Sequence, residues 1–492
     1  MKSTLYLLFM LLLLSPNASA EIIYVPDDYS LIQDGINSAH DGDTILVEPG
    51  TYAENLNLNG KNIVVASRFL TERDSSYIRS TIVDGDSAGT VFSVNSGEDS
   101  TTTILGFTIR NGFAPYGGGF YISSSSPVIR DNIIEDNYMS GGGGGLYCAG
   151  ENTNALIMNN IIRHNQGNSG GGIFAAQAST PVIENNMIYE NATVGIGAAM
   201  CIMESSLRIS GNTIKDNYTH YPGGGIMSFD SDIIIANNCI IGNEGERGGG
   251  IVILNYVDDM VRIINNVIYG NNATDYGGGL VIAAPNHEIK NNIFWANTAD
   301  NHNPQIFGES PRVTYCCVEG GFGGAGNISD NPLFRDADTD DYRLSAIECG
   351  QAEDSPCKDT GDPTIFDAFI DCEDGGIGDD LCDMGAYGGA GIPTGIDEQQ
   401  PKKLPVKYSM LSNYPNPFNA TTSIVFTLKR ESEVNIDIYN VRGQKIEPLV
   451  NSRFKAGEHI IRWNAEDFAT GIYFCKLKSP DGEICKPLML IK

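Results

Sequence analysis

Positive charge is scarce in this chain: its 492 residues carry 31 Lys and Arg against 61 Asp and Glu, a formal net charge of −30. Nucleic acid and anionic membrane are excluded as partners on that ground, since both are held by basic surface. A polyanionic substrate is disfavoured as well unless calcium bridges the charges. The basic side chains that exist gather late, because residues 401–492 hold 14 of the 31 but only 9 of the 61 acidic ones. This step in composition places a domain boundary near residue 400.

Long apolar runs are missing after the first twenty residues. Lys2, the run from Leu5 to Leu14, and Ala18-Ser19-Ala20 have the layout of a secretory leader over 1–20, cut after Ala20 to leave Glu21 first. No later segment reaches the roughly 18 consecutive apolar residues that a spanning helix needs, so the mature protein is expected to be secreted or on the outer cell surface, with no transmembrane helix. Its 11 cysteines then meet an oxidising compartment, where an odd number leaves at least one without an intramolecular partner. Cys349, Cys357, Cys372 and Cys382 share one acidic, loop-rich stretch in which disulfides would substitute for a thin core. Cys475 and Cys485 flank the turn signal Ser479-Pro480-Asp481-Gly482, across which they could face each other. CxxC spacing is absent, which argues against zinc and thiol redox chemistry.

Glycine is abundant, at 57 residues, and it is ordered. The stretch NNIIRHNQGNSGGGIF, Asn159 to Phe174, puts three glycines beside a histidine but lacks the lysine and hydroxyl of a phosphate-binding loop. A repeat explains it better. Isoleucine, two residues, asparagine, one residue, Ile or Phe, two residues and asparagine recur seven times at intervals of 26 to 28 residues, led by Ile129, Ile157, Ile183, Ile209, Ile235, Ile263 and Ile289. The first asparagines run from Asn132 and Asn160 to Asn292, and the second from Asn137 and Asn165 to Asn297. Five of the six intervals carry a glycine triplet, and each cluster leads into short β-branched or aromatic alternation such as Gly172-Ile173-Phe174. No window keeps a long helical period.

A unit this short cannot bury its own apolar side, but stacked units can. The spacing predicts an all-β chain with a parallel β-helix of three strands per coil and about eleven coils. Coils ~4.8 Å apart would stack isoleucines inward and asparagine amides at the corners, with glycine at another corner. Ser30-Leu31-Ile32-Gln33 reads as a capping box, and Ile32, Ile36 and Ala39 share one helical face, so a short helix is expected to plug the first coil. The β-helix is expected over 21–391, its far end closed by the acidic stretch 330–391, with a linker over 392–407 and a sandwich over 408–492.

Asp41-Gly42-Asp43-Thr44-Ile45 and Pro49-Gly50-Thr51-Tyr52 resemble the opening segment of the right-handed parallel β-helix superfamily of pectate lyases, polygalacturonases and many surface proteins. Asn331-Pro332-Leu333-Phe334, Ser355-Pro356-Cys357 and Asp383-Met384-Gly385-Ala386-Tyr387 are similar to the closing segment of bacterial members. Residues 411–492, with Leu411-Ser412-Asn413-Tyr414-Pro415-Asn416-Pro417-Phe418-Asn419 and Gly471-Ile472-Tyr473-Phe474, resemble the sorting domain of type IX secretion, which implies the secretion machinery as a partner. What the resemblance implies is a fold, a right-handed parallel β-helix followed by a small Ig-like β-sandwich, and not a reaction. None of the six histidines sits between glycines as in polygalacturonases, and the motif sets of pectate lyases and pectin esterases are not found.

One column carries chemistry. Asp136, His164, Glu190 and Asp216 stand four residues after successive first asparagines, preceded by Glu135, Arg163, Tyr189 and Lys215. Neighbours ~4.8 Å apart would allow an acid and base pair, and a solvated stripe of charge is the plain alternative. Tyr116, Tyr138, Tyr218, Tyr221 and Tyr276 cluster near the glycine corners, where rings suit sugar, with Arg163 and Lys215 as polar contacts. Asp336, Asp338 and Asp340 alternate like a calcium loop but lack its glycine and its twelfth-position acid, where Ile347 stands, leaving a looser Ca2+ site. The expected function is binding of extracellular polysaccharide, or an adhesin-like role at the cell surface. The alternative is a polysaccharide lyase or glycoside hydrolase with Asp136, His164, Glu190 and Asp216 as its catalytic set.

Overall fold

The computed structural model describes residues 20–256, 259–308, 311–365 and 381–388, then 409–414, 420–428, 432–440, 445–455, 457–465, 468, 471–479 and 482–490. The expected leader up to residue 19 and the linker 392–407 lie outside them. Two compact units result, Met1–Thr394 and Gly395–Lys492.

The first unit is a parallel β-helix of about eleven turns. Its strands form four parallel sheets of 12, 11, 8 and 10 strands. One coil shows the path: Val128–Arg130 in the 12-stranded sheet, Ile133–Glu135 in the 11-stranded, Tyr138–Met139 in the eight-stranded and Leu146–Ala149 in the ten-stranded. Three strands per coil were expected. The fourth, of two residues, arises because the chain turns at Asp136 in a left-handed conformation (φ 53°) and pairs once more before the glycine corner.

Registration is residue on residue. Ile129 lies between Ile104 and Ile157, and the row continues through Ile183, Ile209, Ile235, Ile263 and Ile289, each with no exposed surface. Full burial of such a side chain stabilises by about 1.5–3 kcal/mol, so the inward rows drive the stacking. The asparagines fix its register. Asn186 Oδ1 accepts from the Asn160 backbone N–H (2.9 Å) and Nδ2 (3.0 Å), while its own Nδ2 donates to Ile157 O (2.9 Å) and Asn212 Oδ1 (3.0 Å). The same links run from Asn132 to Asn292, where the Cys316 thiol takes the next place at 3.3 Å. A second column runs from Asn137 to Asn297 and ends on Gln305 Oε1 at 2.6 Å. The glycine triplet is a corner, as its first member requires: Gly170 has φ +63°, and a Cβ there would stand 2.3 Å from Ile173 O.

The ends are covered less simply than expected. Helix Ile32–Ser38 buries Ile32 and Ile36 over the first coil, but its start has no side-chain cap. The Glu54 carboxylate accepts the free Ile32 and Gln33 N–H groups instead, at 2.9 Å each. At the other end the closing stretch, in its described residues, lies along the flank of the last coils. It packs on the outer face of the 11-stranded sheet, where Tyr342, Leu344, Ala346, Cys357, Met384 and Ala386 meet Cys239, Ile241, Val267, Ile293 and Cys317. Asn237 and Asn265 reach out to it, donating to Ala386 O (3.0 Å) and Asp383 O (3.0 Å).

Cysteine is mostly core material. Cys148, Cys239 and Cys316 are buried free thiols that burial pushes up to about 12. Cys349 is disulfide-bonded, and Cys372 lies outside the described residues. Cys475 and Cys485 are not register partners: Ser479 pairs with Gly482, so Cys475 pairs with Lys486 and Cys485 with Lys476.

The second unit has a three-stranded and a four-stranded antiparallel sheet sharing one core of Ile424, Phe426, Ile436, Ile438, Trp463 and Leu477. Its fourth strand, Lys445–Phe454, joins the third, Ser432–Asn440, and not the sheet of the first, as it would in an immunoglobulin constant domain.

Two tests follow from the stacking. Asn186→Ala leaves several buried partners unsatisfied and should cost about 3 kcal/mol in denaturant unfolding, whereas Asn159→Gly, at an exposed left-handed corner, should stay within about 0.5 kcal/mol. Equal costs would contradict the ladder. In the closing stretch, Arg343 holds the Asp341 carboxyl below its ordinary range; burial raises that of Asp362, but Thr364 and Lys290 outweigh it and leave it low. Carboxyls held down in the folded state stabilise fully above the ordinary carboxylate pKa and lose this as pH falls through their lower folded values. Hydrogen exchange of the strand Asp341–Leu344 should therefore accelerate, after correction for intrinsic rate, from about pH 5 to about pH 3, with the mid-coil amides unchanged.

Candidate functional site

The column Asp136, His164, Glu190 and Asp216 occupies one corner, between the 11-stranded and eight-stranded sheets. All four are left-handed, with φ of 53°, 53°, 52° and 53°, and exposed. Asn111, Gly242, Gly270 and Ala296 hold the same corner in other coils with φ of 55° to 64°. The column fades there because the corner asks for a backbone shape and not for a charge. Within it, His164 Nε2 lies 2.6 Å from Glu190 Oε2, and Nδ1 lies 3.9 Å from Asp136 Oδ1. Asp216 stays outside this cluster, its carboxylate 3.7 Å from Lys215 Nζ.

The residues before the corner form an outward stripe in strict register, Glu135, Arg163, Tyr189, Lys215 and then Ile241. Their cations are occupied. Arg163 donates to Glu135 Oε2 at 2.8 and 2.6 Å and to the Tyr189 hydroxyl at 3.0 Å, and the Glu135 bond raises its pKa. Lys215 Nζ sits 2.6 Å from Asp340 Oδ2, which raises its pKa in the same way and ties the open coils to the rim of the closing stretch. Asp340 is thereby paired, while exposed Asp336 precedes the short 3-10 turn Ala337–Thr339 and exposed Asp338 lies within it. Among the described residues no three His, Cys, Asp or Glu are grouped to hold a metal.

The five tyrosines do not form one surface. Tyr138 is 45% exposed and stacks on Phe113 at 5.4 Å and 5°. Tyr218 lies further along the same sheet with its hydroxyl on His220 Nδ1 (2.8 Å), and exposed Tyr221 follows in the next loop. Tyr276 is half-buried against Phe307, with Arg247 5.2 Å from its ring. Tyr116, 54% exposed, is the one that meets a larger aromatic group, 5.2 Å from Tyr147.

That group was not anticipated. Tyr121, Tyr147 and Phe174 lie in register on the outer face of the ten-stranded sheet, with ring centroids 5.7 and 5.4 Å apart and planes within 14° and 5°. Each is the second residue after a glycine triplet. Inward Phe120, Leu146 and Ile173 precede them, so alternation turns them out. Gly142 makes room for the row, since a Cβ there would meet the Phe174 ring at 2.9 Å. Beside the rings opens a cavity of about 240 Å³ lined by Tyr116, Tyr147, Phe174, Gln177, Met203 and Glu204. Gln177 and Glu204 sit at the left-handed corners ending their strands (φ 58° and 48°) and are exposed. Tyr147 is only 7% exposed, burial pushes its hydroxyl pKa up, and among the described residues that hydroxyl has no hydrogen-bond partner.

Residues 90–256 match the family described as right handed beta helix region, and residues 412–491 match the secretion system C-terminal sorting domain. The protein is thus a right-handed parallel β-helix with a type IX sorting domain downstream, which marks it for secretion or the outer surface. No curated protein matches the chain. Among solved structures it is similar to the PL6 family alginate lyase AlyGC, at 16% identity and a TM-score of 0.33 over 62% of this chain and 53% of that one. A point mutant of that lyase aligns at 14% identity and a TM-score of 0.25 over 64% and 54%. The chain spans about half the length of these structures. No helix among the described residues is long and apolar enough to cross a membrane.

Proposed function

We propose that the protein binds extracellular polysaccharide at the cell surface, using the rigid stack of coils as a display surface. The observation that carries this reading is the row Tyr121, Tyr147 and Phe174, three rings in coil register beside an open cavity. Sugar rings present C–H groups to aromatic faces and hydroxyls to polar groups nearby, and a solenoid repeats such contacts along one line. A role in adhesion would follow from the same contacts once the sorting domain has delivered the chain.

One observation favours a second reading, a polysaccharide lyase or glycoside hydrolase: His164 Nε2 and Glu190 Oε2 are 2.6 Å apart on an open corner, with Asp136 on the other side of the ring. Proton transfer between such groups is the core of acid and base catalysis. Binding is the stronger reading, because the corner geometry accounts for the column without any reaction and its cations are engaged within the protein. The two part on turnover. Incubated with a panel of neutral and acidic polysaccharides, the mature protein should bind without producing new ends or unsaturated products, and His164→Ala and Glu190→Ala should leave binding unchanged. Product formation that both substitutions abolish would establish the enzyme instead.

A further inference from the structure

We propose that the cavity between Tyr116, Tyr147 and Phe174 is a subsite for one uncharged pyranose ring of a polysaccharide chain running along the coils; this rests on the binding function proposed above. Size supports a single ring: about 240 Å³ falls below the roughly 300–1,000 Å³ of pockets that enclose drug-sized ligands. Direction follows from the rows. Tyr121, Tyr147 and Phe174 succeed one another at the coil spacing, so a chain lying along the axis meets one ring after another.

The polar groups choose the sugar. Tyr147 lines the cavity, and its hydroxyl makes no hydrogen bond among the described residues. It is therefore free to exchange a hydrogen bond with a sugar hydroxyl. Gln177 offers an amide and Glu204 a carboxylate on the far side, neither engaged by another side chain. No Lys or Arg lines the cavity, so a uronate would bring its carboxylate toward Glu204 with no cation to offset the repulsion. The acidic body adds to this at longer range, with 52 Asp and Glu against 17 Lys and Arg over residues 1–400. Neutral hexoses and pentoses have hydroxyls for all three groups and no charge to exclude.

The test uses the mature full chain in affinity electrophoresis and titration calorimetry with xylan and mannan as neutral probes, and alginate and polygalacturonate as acidic ones. Wild type should bind a neutral polymer and neither acidic one. Phe174→Ala should weaken that binding by about tenfold or more, and Tyr147→Phe by about threefold. Because Phe174→Ala removes packing as well as a ring face, Tyr147→Phe, which keeps the ring, decides the matter if the larger change disturbs folding. Neutral binding unchanged in both variants, or acidic polymers binding as tightly as neutral ones, overturns the subsite while the polysaccharide-binding function stands. Failure of wild type to bind any of the four overturns both.

Discussion

The structure depends on one interaction, an asparagine amide that accepts from the coil before it and donates onward to the coil after it. Apolar burial makes the coils stack but does not say where they stop sliding, since isoleucine on isoleucine is nearly as good one coil along. The amide is specific. Each link joins one residue to its counterpart 26 or 28 positions later, in an interior where an unpaired amide is expensive. Two columns of seven, at two corners, pin seven of the roughly eleven coils in rotation and in register.

What lies outside inherits that register. Because Glu135, Arg163, Tyr189 and Lys215 stand directly over one another, opposite charges meet across coils and quench each other, and the stripe becomes part of the framework. On the next four coils the same sheet is apolar outside, and the closing stretch covers it, anchored by Asn237 and Asn265. On the ten-stranded sheet the outer face carries Tyr121, Tyr147 and Phe174 beside a cavity that no Lys or Arg lines. The proposed binding of sugar rests on that face.

The repeat, the inward rows, the amide columns and the glycine corners were all legible in the sequence, because each recurs at the coil period and periodicity survives without coordinates. Features made by contacts distant in sequence were not. Ser30 does not cap the first helix because Glu54, one coil later, already holds the amides. The closing stretch lies on the flank because its footing is residues nearly 150 positions earlier, as between Asn237 and Ala386. Cys475 and Cys485 miss register pairing by a single step of the hairpin. Of the column Asp136, His164, Glu190 and Asp216, the side chains of the first three meet while Asp216 lies beside Lys215, and the corner owes its composition to backbone shape. The aromatic row is hidden for a simpler reason: the tyrosines that cluster at the glycine corners stand before them, whereas the outward position is the second residue after each triplet. Tyr121, Tyr147 and Phe174 all occupy it, and counting from Gly119, Gly145 and Gly172 would have found them.

Crystal diffraction from the mature protein, at a resolution that separates amide groups, tests the account most directly. It should show each column asparagine from Asn132 to Asn292 and from Asn137 to Asn297 within hydrogen-bond distance of its counterpart in the next coil, with Tyr121, Tyr147 and Phe174 aligned on one outer face. Amides turned to solvent, or coils offset so that those three rings fall on different faces, would contradict it.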